Sequence, residues 1–160
     1  TFACDTGNRY LSKMYNDFWM RDQGFVEVKS HGDLRDLIAR PYESHDTVTI
    51  NSDEPLANAY KRMKLYDVSQ LPVVDDGKLV GILDESDLLL AVAESSSRFD
   101  EPVSSAMVTD LTEIDVHAPV EQLMPIFDKD FVAIVMDGDD FLGLITRVDL
   151  LNYLRRKADH

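Results

Sequence analysis

Cysteine is nearly absent: Cys4 stands alone in 160 residues. No disulfide can form within the chain, which fits a reducing cytoplasm, and a solitary cysteine gives no evidence for a nucleophile. Basic residues are scarce, with 16 Lys and Arg against 30 Asp and Glu and a formal charge of −14. That balance excludes sequence-independent binding of nucleic acid and attraction to an anionic membrane surface, since both need clustered cations. The one basic run, Arg155-Arg156-Lys157, sits where a helix would end and complements its negative terminus. Long apolar runs are missing too. The longest, such as 88–93, are strand- or helix-sized, whereas a membrane span needs about 20 residues. No basic region followed by an apolar core opens the chain, so no signal peptide is expected and a cytoplasmic location is. Because the sequence starts with Thr1, a cut from a longer protein is the simplest expectation.

Catalytic and metal-binding patterns are equally thin. His31, His45, His117 and His160 have no ligand spacing, and no Ser/His/Asp or Cys/His arrangement emerges. Asp84, Glu85 and Asp87 suit a solvated helix start better than a cation site, which needs more converging oxygens. Asp137, Asp139 and Asp140 suggest a calcium loop but fail its twelve-residue spacing, and a hairpin turn accounts for them. No metal is expected.

What is present is a repeat. Leu71-Pro-Val-Val-Asp75 matches Ala133-Ile-Val-Met-Asp137, and Gly81-Ile-Leu-Asp-Glu-Ser-Asp-Leu-Leu89 matches Gly143-Leu-Ile-Thr-Arg-Val-Asp-Leu-Leu151, both at an offset of 62 residues. Each copy reads as strand, Gly/Asp turn, strand and then an apolar helix, the pattern of a β-hairpin feeding a helix. Upstream, Thr47-Val-Thr-Ile50 and Glu113-Ile-Asp-Val116 alternate like half-buried strands. Pro55-Leu56 and Pro119-Val120 then open helices, with Pro in the tolerated first turn. Pro125 should kink or delay the second of these. The expected fold is α/β (α+β): two β-α-β-β-α repeats related by a pseudo-twofold axis and packed as one module, because a single unit has too little core to stand alone. The expected boundaries are 1–39 for a preceding segment, 40–98 for the first repeat and 99–160 for the second. The polar stretch 94–98 reads as an exposed connector.

The first segment is different in kind. Tyr10, Leu11, Met14, Tyr15, Phe18, Trp19 and Met20 fall near helical spacing and form an aromatic stripe suited to core or interface. Gly24 would end that helix, and 33–38 reads as a short second one.

The doubled pattern resembles the CBS-domain pair, also called a Bateman module, over about three-quarters of the chain. Cys4-Asp-Thr-Gly-Asn-Arg-Tyr-Leu-Ser12, Asn16-Asp-Phe-Trp-Met20 and Gly24-Phe25 are similar to the end of the catalytic domain of the cystathionine β-synthase family. Thr146-Arg-Val-Asp-Leu-Leu-Asn152 resembles the end of that family's regulatory region. The resemblance implies a pyridoxal phosphate-dependent lyase as the parent, with the cofactor in a missing catalytic domain. It implies that Thr6 meets the pyridine nitrogen there, although in this chain Thr6 suits an ordinary turn. Lys13 and Lys29 carry no Schiff-base signature and no Gly-rich phosphate loop is found, so the chain itself is not expected to be an enzyme.

The resemblance further implies an adenosyl-ligand site between the repeats. Asp149 can accept ribose hydroxyls as a carboxylate, and Thr146 can meet the 5′ substituent. Arg147 could receive phosphate. Val68, Ser69, Gln70 and Leu71 would read the adenine edge, with Pro72 and Ile145 on its faces and Thr47 and Val48 closing the slot. Thr146 and Asp149 equally suit a helix cap, and the two roles are compatible. Asp84 and Asp87 mark a weaker second cleft. S-adenosylmethionine, whose charge suits an acidic chain, is the first-choice ligand; AMP or ATP is the alternative, and a ligand-free structural or dimer-forming module is a third. A homodimer and the protein's own catalytic domain are the expected partners.

Overall fold

The computed structural model describes residues 31–43, 45, 47–129 and 132–159. The aromatic stripe, Cys4, Thr6, Lys13, Lys29 and His160 lie outside them.

Within the described residues the repeat is literal. The first copy contains helix α1 (Leu56–Tyr66), strands β1 (Gln70–Asp75) and β2 (Lys78–Asp84) and helix α2 (Glu85–Ala93). The second contains strand β3 (Glu113–Asp115), helix α3 (Leu123–Lys129), strands β4 (Val132–Asp137) and β5 (Asp140–Thr146) and helix α4 (Arg147–Ala158). β1 pairs antiparallel with β2 from Gln70↔Asp84, and β4 with β5 from Val132↔Thr146. Each hairpin has an irregularity at the same place, between Val73 and Val74 and between Val135 and Met136. The burial of 81–88 recurs residue for residue in 143–150.

The two turns solve one problem differently. In the first, Asp76 and Gly77 both take positive φ, 50° and 78°, the geometry that matches the twist of the flanking strands. In the second only Gly138 does, at 62°, so the run Asp137-Gly-Asp-Asp140 is a hairpin turn.

The upstream strands differ. Glu113–Asp115 pairs parallel with β4 and completes a three-stranded sheet. The expected strand 47–50 is reduced to one rung: Ile50 donates its N–H to Pro72 O at 3.1 Å and accepts from Val74 N–H at 2.9 Å. Pro125 acts as expected of a delay. A 3-10 turn, Val120–Gln122, precedes α3, and Pro125 falls in the first helical turn, where its missing N–H costs no intrahelical bond. The connector winds into a 3-10 turn, Ser96–Asp100, rather than running as an open loop.

Two hydrophobic clusters form the core, and each is completed from outside its own repeat. Leu34, Leu37 and Ile38, which precede the first repeat, pack with Ile114, Phe127, Ile145 and Leu150 of the second. Val103, which leads into the second repeat, packs with Leu56, Leu71 and Leu83 of the first. The short helix expected at 33–38 is a 3-10 turn, Leu34–Leu37, with the Asp33 carboxylate accepting from Arg35 N–H at 3.0 Å.

Both lead-in segments cross a strand at a glycine. A Cβ on Gly81 would lie 2.9 Å from Val108 O; one on Gly143 would lie 2.6 Å from Ile38 Cγ2 and 3.3 Å from Arg40 O. Gly143 also has φ +153°, a conformation that L side chains rarely adopt. Gly143→Ala is therefore expected to cost about 2 kcal/mol or more through overpacking and backbone strain. Gly138→Ala, whose Cβ meets open space, should cost only about 1 kcal/mol. Thermal unfolding of both variants checks the order; equal losses would remove the close crossing as a constraint.

Candidate functional site

Crossing of the lead-in segment over β5 leaves a cleft of about 460 Å³ between the repeats. Three stretches line it: Ala39, Arg40, Thr47 and Val48 from the lead-in; Asp67 to Gln70 and Pro72 from the end of α1 into β1; and Leu144 with Thr146 to Asp149 from β5 into α4. The volume lies within the range of about 300–1,000 Å³ that small-molecule sites occupy.

Strand and helix geometry decide which expected residues arrive there. Thr47, Val48, Val68, Ser69, Gln70, Pro72, Thr146, Arg147 and Asp149 share this one cleft. Leu71 and Ile145 do not: both side chains are fully buried in the clusters behind it. The reason is the two-residue period of a strand, by which Gln70 and Pro72 face the cleft while Leu71 faces the core. The same alternation makes Leu144 the lining residue of β5, and corrects the placement of Ile145. Asp84 and Asp87 stand at the equivalent place on the first repeat, outside this cleft.

At the polar end, Thr146 is the N-cap of α4 and Asp149 its third residue, and they cap each other. One oxygen of Asp149, Oδ2, accepts from Thr146 N–H at 2.7 Å and from its Oγ1–H at 2.7 Å. Thr146 Oγ1 in turn accepts from Asp149 N–H at 3.3 Å. The Thr146 proton is thus committed to Asp149, and toward a guest this hydroxyl is an acceptor. Asp149 Oδ1 takes no hydrogen bond from the described residues and remains available as an acceptor. Burial raises the Asp149 carboxyl above the ordinary aspartate value, while the hydrogen bonds from Thr146 and the charges of Arg40 and Arg156 pull it down.

In the first repeat the same box is built from two acids. Asp84 Oδ1 accepts from Asp87 N–H at 2.7 Å. The Asp87 carboxyl is raised by burial and then by the negative charge of Asp84.

The two arginines of the cleft are anchored on opposite repeats. Arg147 donates from Nη2 to Phe127 O in the last turn of α3. Arg40 donates from Nη2 to Tyr66 O, the last residue of α1, at 3.4 Å, and its own carbonyl accepts from Thr47 Oγ1–H at 2.5 Å. Sequence reasoning missed Ala39, Arg40, Asp67, Leu144 and Val148. Only Leu144 had a signal, the strand alternation; Arg40 lies before the repeat begins, where no periodicity marks it. Tyr42 secures this segment through its N–H to Leu142 O at 2.8 Å and by ring contact with Phe141, centroids 5.2 Å apart.

Comparison with known proteins agrees with this architecture. The chain is 30% identical over 172 residues to the cystathionine β-synthase of Dictyostelium discoideum, an alignment covering 95% of this chain and 33% of that protein. The chain therefore spans a third of that relative's length. Its fold is similar to a crystal structure assigned to acetoin utilization (AcuB) from Vibrio cholerae, with TM-score 0.69, 26% identity and coverage of 79% of this chain and 93% of that one. It is also similar to the CBS domain pair of a protein crystallised in complex with 5′-methylthioadenosine and S-adenosyl-L-methionine, with TM-score 0.65, 22% identity and coverage of 78% and 97%. The sequence model of the CBS domain matches twice, over residues 34–94 and 103–156; each match starts at a lead-in segment that closes the opposite repeat, and the chain belongs to the CBS-domain family as a tandem pair, a regulatory rather than a catalytic module.

Proposed function

We propose that the cleft binds an adenosyl ligand, with S-adenosylmethionine as first choice, and that binding regulates an attached cystathionine β-synthase catalytic domain. The observation that carries this reading is Asp149 Oδ1, a carboxylate oxygen left as an acceptor at the polar end of a cleft whose apolar lining includes Val48, Val68, Pro72 and Leu144. A ribose needs a hydroxyl acceptor, and adenine needs apolar faces. Val68 to Gln70 line the cleft beside these walls, where the side chains of Ser69 and Gln70 can meet the base's hydrogen-bonding rim. Similarity to the Dictyostelium synthase over nearly the whole chain supports the choice of parent. Binding changes the partner domain only as far as the ligand prefers one packing of the repeats over another. Because the cleft is walled by both repeats, their packing is what a ligand would bias.

Pyridoxal phosphate does not fit this cleft as a Schiff base, since no lysine lines it. We assign that cofactor to the catalytic part of the parent and expect the present chain, mixed with pyridoxal phosphate, to gain no visible absorbance band.

A second reading, a dimer-forming module, draws on Leu89 and Leu90 of α2 and Val148, Leu151 and Leu154 of α4, all exposed. Apolar residues clustered on helix faces commonly mark protein interfaces. Sedimentation should give a symmetric dimer, and a strict monomer at high micromolar concentration would remove that reading.

The ligand assignment makes two predictions. Titration calorimetry should find one high-affinity adenosyl site per chain, abolished by Asp149→Ala and nearly unchanged by Asp87→Ala; saturation at about 100 times the dissociation constant should add roughly 2.7 kcal/mol of stability. Greater damage from the Asp87 change would place the site in the other repeat.

The second concerns pH. Asp149 has a raised carboxyl in the fold, so its ionised form costs stability at neutral pH, and that cost is relieved as pH falls through the folded value. A ribose donating to the carboxylate favours the ionised form, so affinity should weaken over the same window, beginning above the ordinary aspartate range. Binding there should release protons, read as a dependence of the calorimetric heat on buffer ionisation. Asp149→Asn should abolish the dependence; proton uptake would contradict the assignment.

A further inference from the structure

The two hydrophobic clusters share no residue, and chain order does not divide them at the repeat boundary. One draws on Leu34, Leu37 and Ile38, skips to Ile114 and runs on to Leu150. The other runs from Ile50 to Val103, with Val48 and Met107 packed at its ends. Hydrogen bonds of the two lead-ins follow the same division. Leu34 N–H donates to Val116 O at 3.0 Å and Tyr42 N–H to Leu142 O at 2.8 Å. Val103 N–H donates to Glu54 O at 2.8 Å and Ser104 N–H to Ser52 O at 2.9 Å, while Val108 and Ile82 exchange main-chain bonds at 2.8 and 2.9 Å. Side chains repeat it: His117 Nδ1 lies 3.6 Å from Asp33 Oδ2, and Arg35 Nη2 lies 4.0 Å from Asp137 Oδ2.

Residues 48–108 are therefore one continuous packed body. The other body is discontinuous, built from 34–42 together with 114–158. The chain changes body twice, between Tyr42 and Val48 and between Val108 and Ile114. The cleft falls on the boundary: Ala39, Leu144 and Val148 stand on the discontinuous body, and Val48, Val68 and Pro72 on the continuous one. Side chains close-packed in one cluster move together, whereas two clusters without a shared residue can shift at their boundary. Residues 1–30 join the chain at His31, beside the discontinuous body. The second repeat, although later in sequence, is thus the one that the preceding segment is built onto.

We propose that the module works as these two bodies, and that the continuous one, 48–108, is the part displaced when the cleft fills, the discontinuous one staying with whatever precedes residue 31. The division departs from the repeat stretches 40–98 and 99–160. It needs no ligand; its regulatory use rests on the adenosyl reading above. A guest that touches both walls fixes one spacing of the bodies, and the first repeat delivers that spacing to an attached domain.

Native-state amide exchange of the 160-residue chain tests the division. Phe127→Ala, in the discontinuous body, should speed exchange at Leu34, Tyr42 and Val116 by about a hundredfold and leave Val74, Val103 and Val108 unchanged. Met63→Ala, in the continuous body, should do the reverse. Where a truncation prevents folding, Ile114→Val and Ile50→Val replace the pair, with a difference of about fivefold. Exchange that follows chain order, with Leu34 and Tyr42 answering to Met63→Ala, overturns the division, as does equal acceleration, or none, at all six amides. Displacement is read from spin-label distances in a Cys4→Ser background, between His31→Cys and Lys61→Cys and between His31→Cys and Glu121→Cys, at three exposed positions. Saturation with S-adenosylmethionine or AMP should shift the first distance and leave the second unchanged. A shift of the second, or of neither with the probe bound by calorimetry, overturns the displacement. If neither probe binds, the adenosyl reading falls and the regulatory use with it, while exchange still decides the division.

Discussion

Each repeat's core is closed by a segment that belongs, in chain order, to the other, and the rest of the structure depends on this exchange. A hairpin backed by two short helices buries too little apolar area to offset the entropy of ordering its chain. Leu34, Leu37 and Ile38 fill that deficit for the second repeat, and Val103 fills it for the first. Folding of either repeat is thus conditional on the other's lead-in. The cleft follows from it: the chain that runs from the second repeat's core at Ile38 back to the first repeat at Ile50 must pass the junction. Ala39, Arg40, Thr47 and Val48 line the cleft because they lie on that passage.

The crossing also explains why glycine stands at 81 and 143. At Gly143 the Ile38 side chain and the Arg40 carbonyl, and at Gly81 the Val108 carbonyl, come so near the strand that no room is left for a Cβ. The same close approach makes the lead-in sensitive to what fills the cleft. Arg40 presses its carbonyl toward Gly143, ties that carbonyl to Thr47 and reaches the end of α1 with its side chain. The lead-in is thereby an element packed against both repeats, and an element of that kind is the physical requirement for coupling a small ligand to domain packing.

The repeat, its hairpins and its helices were legible because their signals are local and occur twice. An apolar pair of strands around a Gly/Asp turn, followed by an apolar helix, has little other reading, and a second copy at one offset removes most of what remains. The 47–50 strand was not legible as a single rung, because whether an alternating segment forms a ladder depends on how far the partner strand extends beside it. Both hairpin irregularities were invisible for a similar reason: no turn residue marks them. In the cleft, Thr146 and Asp149 could be read from sequence because they begin a helix, where hydroxyl and carboxyl have specific work. Ile145 was misplaced by one residue, and on a strand one residue is the whole distance between cleft and core.

Arg40 was illegible for a deeper reason. Pattern reading finds residues whose neighbours repeat, and the lead-in does not repeat: Arg40 and Val108 answer one another only through the glycines they cross. Symmetry in the fold therefore carries information that symmetry in the sequence does not. Where the two halves agree, as in the capping boxes of α2 and α4, the shared feature serves the architecture common to both. Where they differ, at Thr146 against Asp84, Arg147 against Glu85 and Arg40 against Val108, architecture does not require the choice, since the other half folds without it. Those three differences all bear on one cleft and all change its charge in the same direction. A like charge facing a buried carboxylate raises the cost of ionising it, as Asp84 does to Asp87; an opposite charge lowers that cost, as Arg40 does for Asp149. Burial raises the carboxyl in both repeats; in the first the charge of Asp84 adds to that rise, whereas in the second the hydrogen bonds from Thr146 and the charges of Arg40 and Arg156 oppose it.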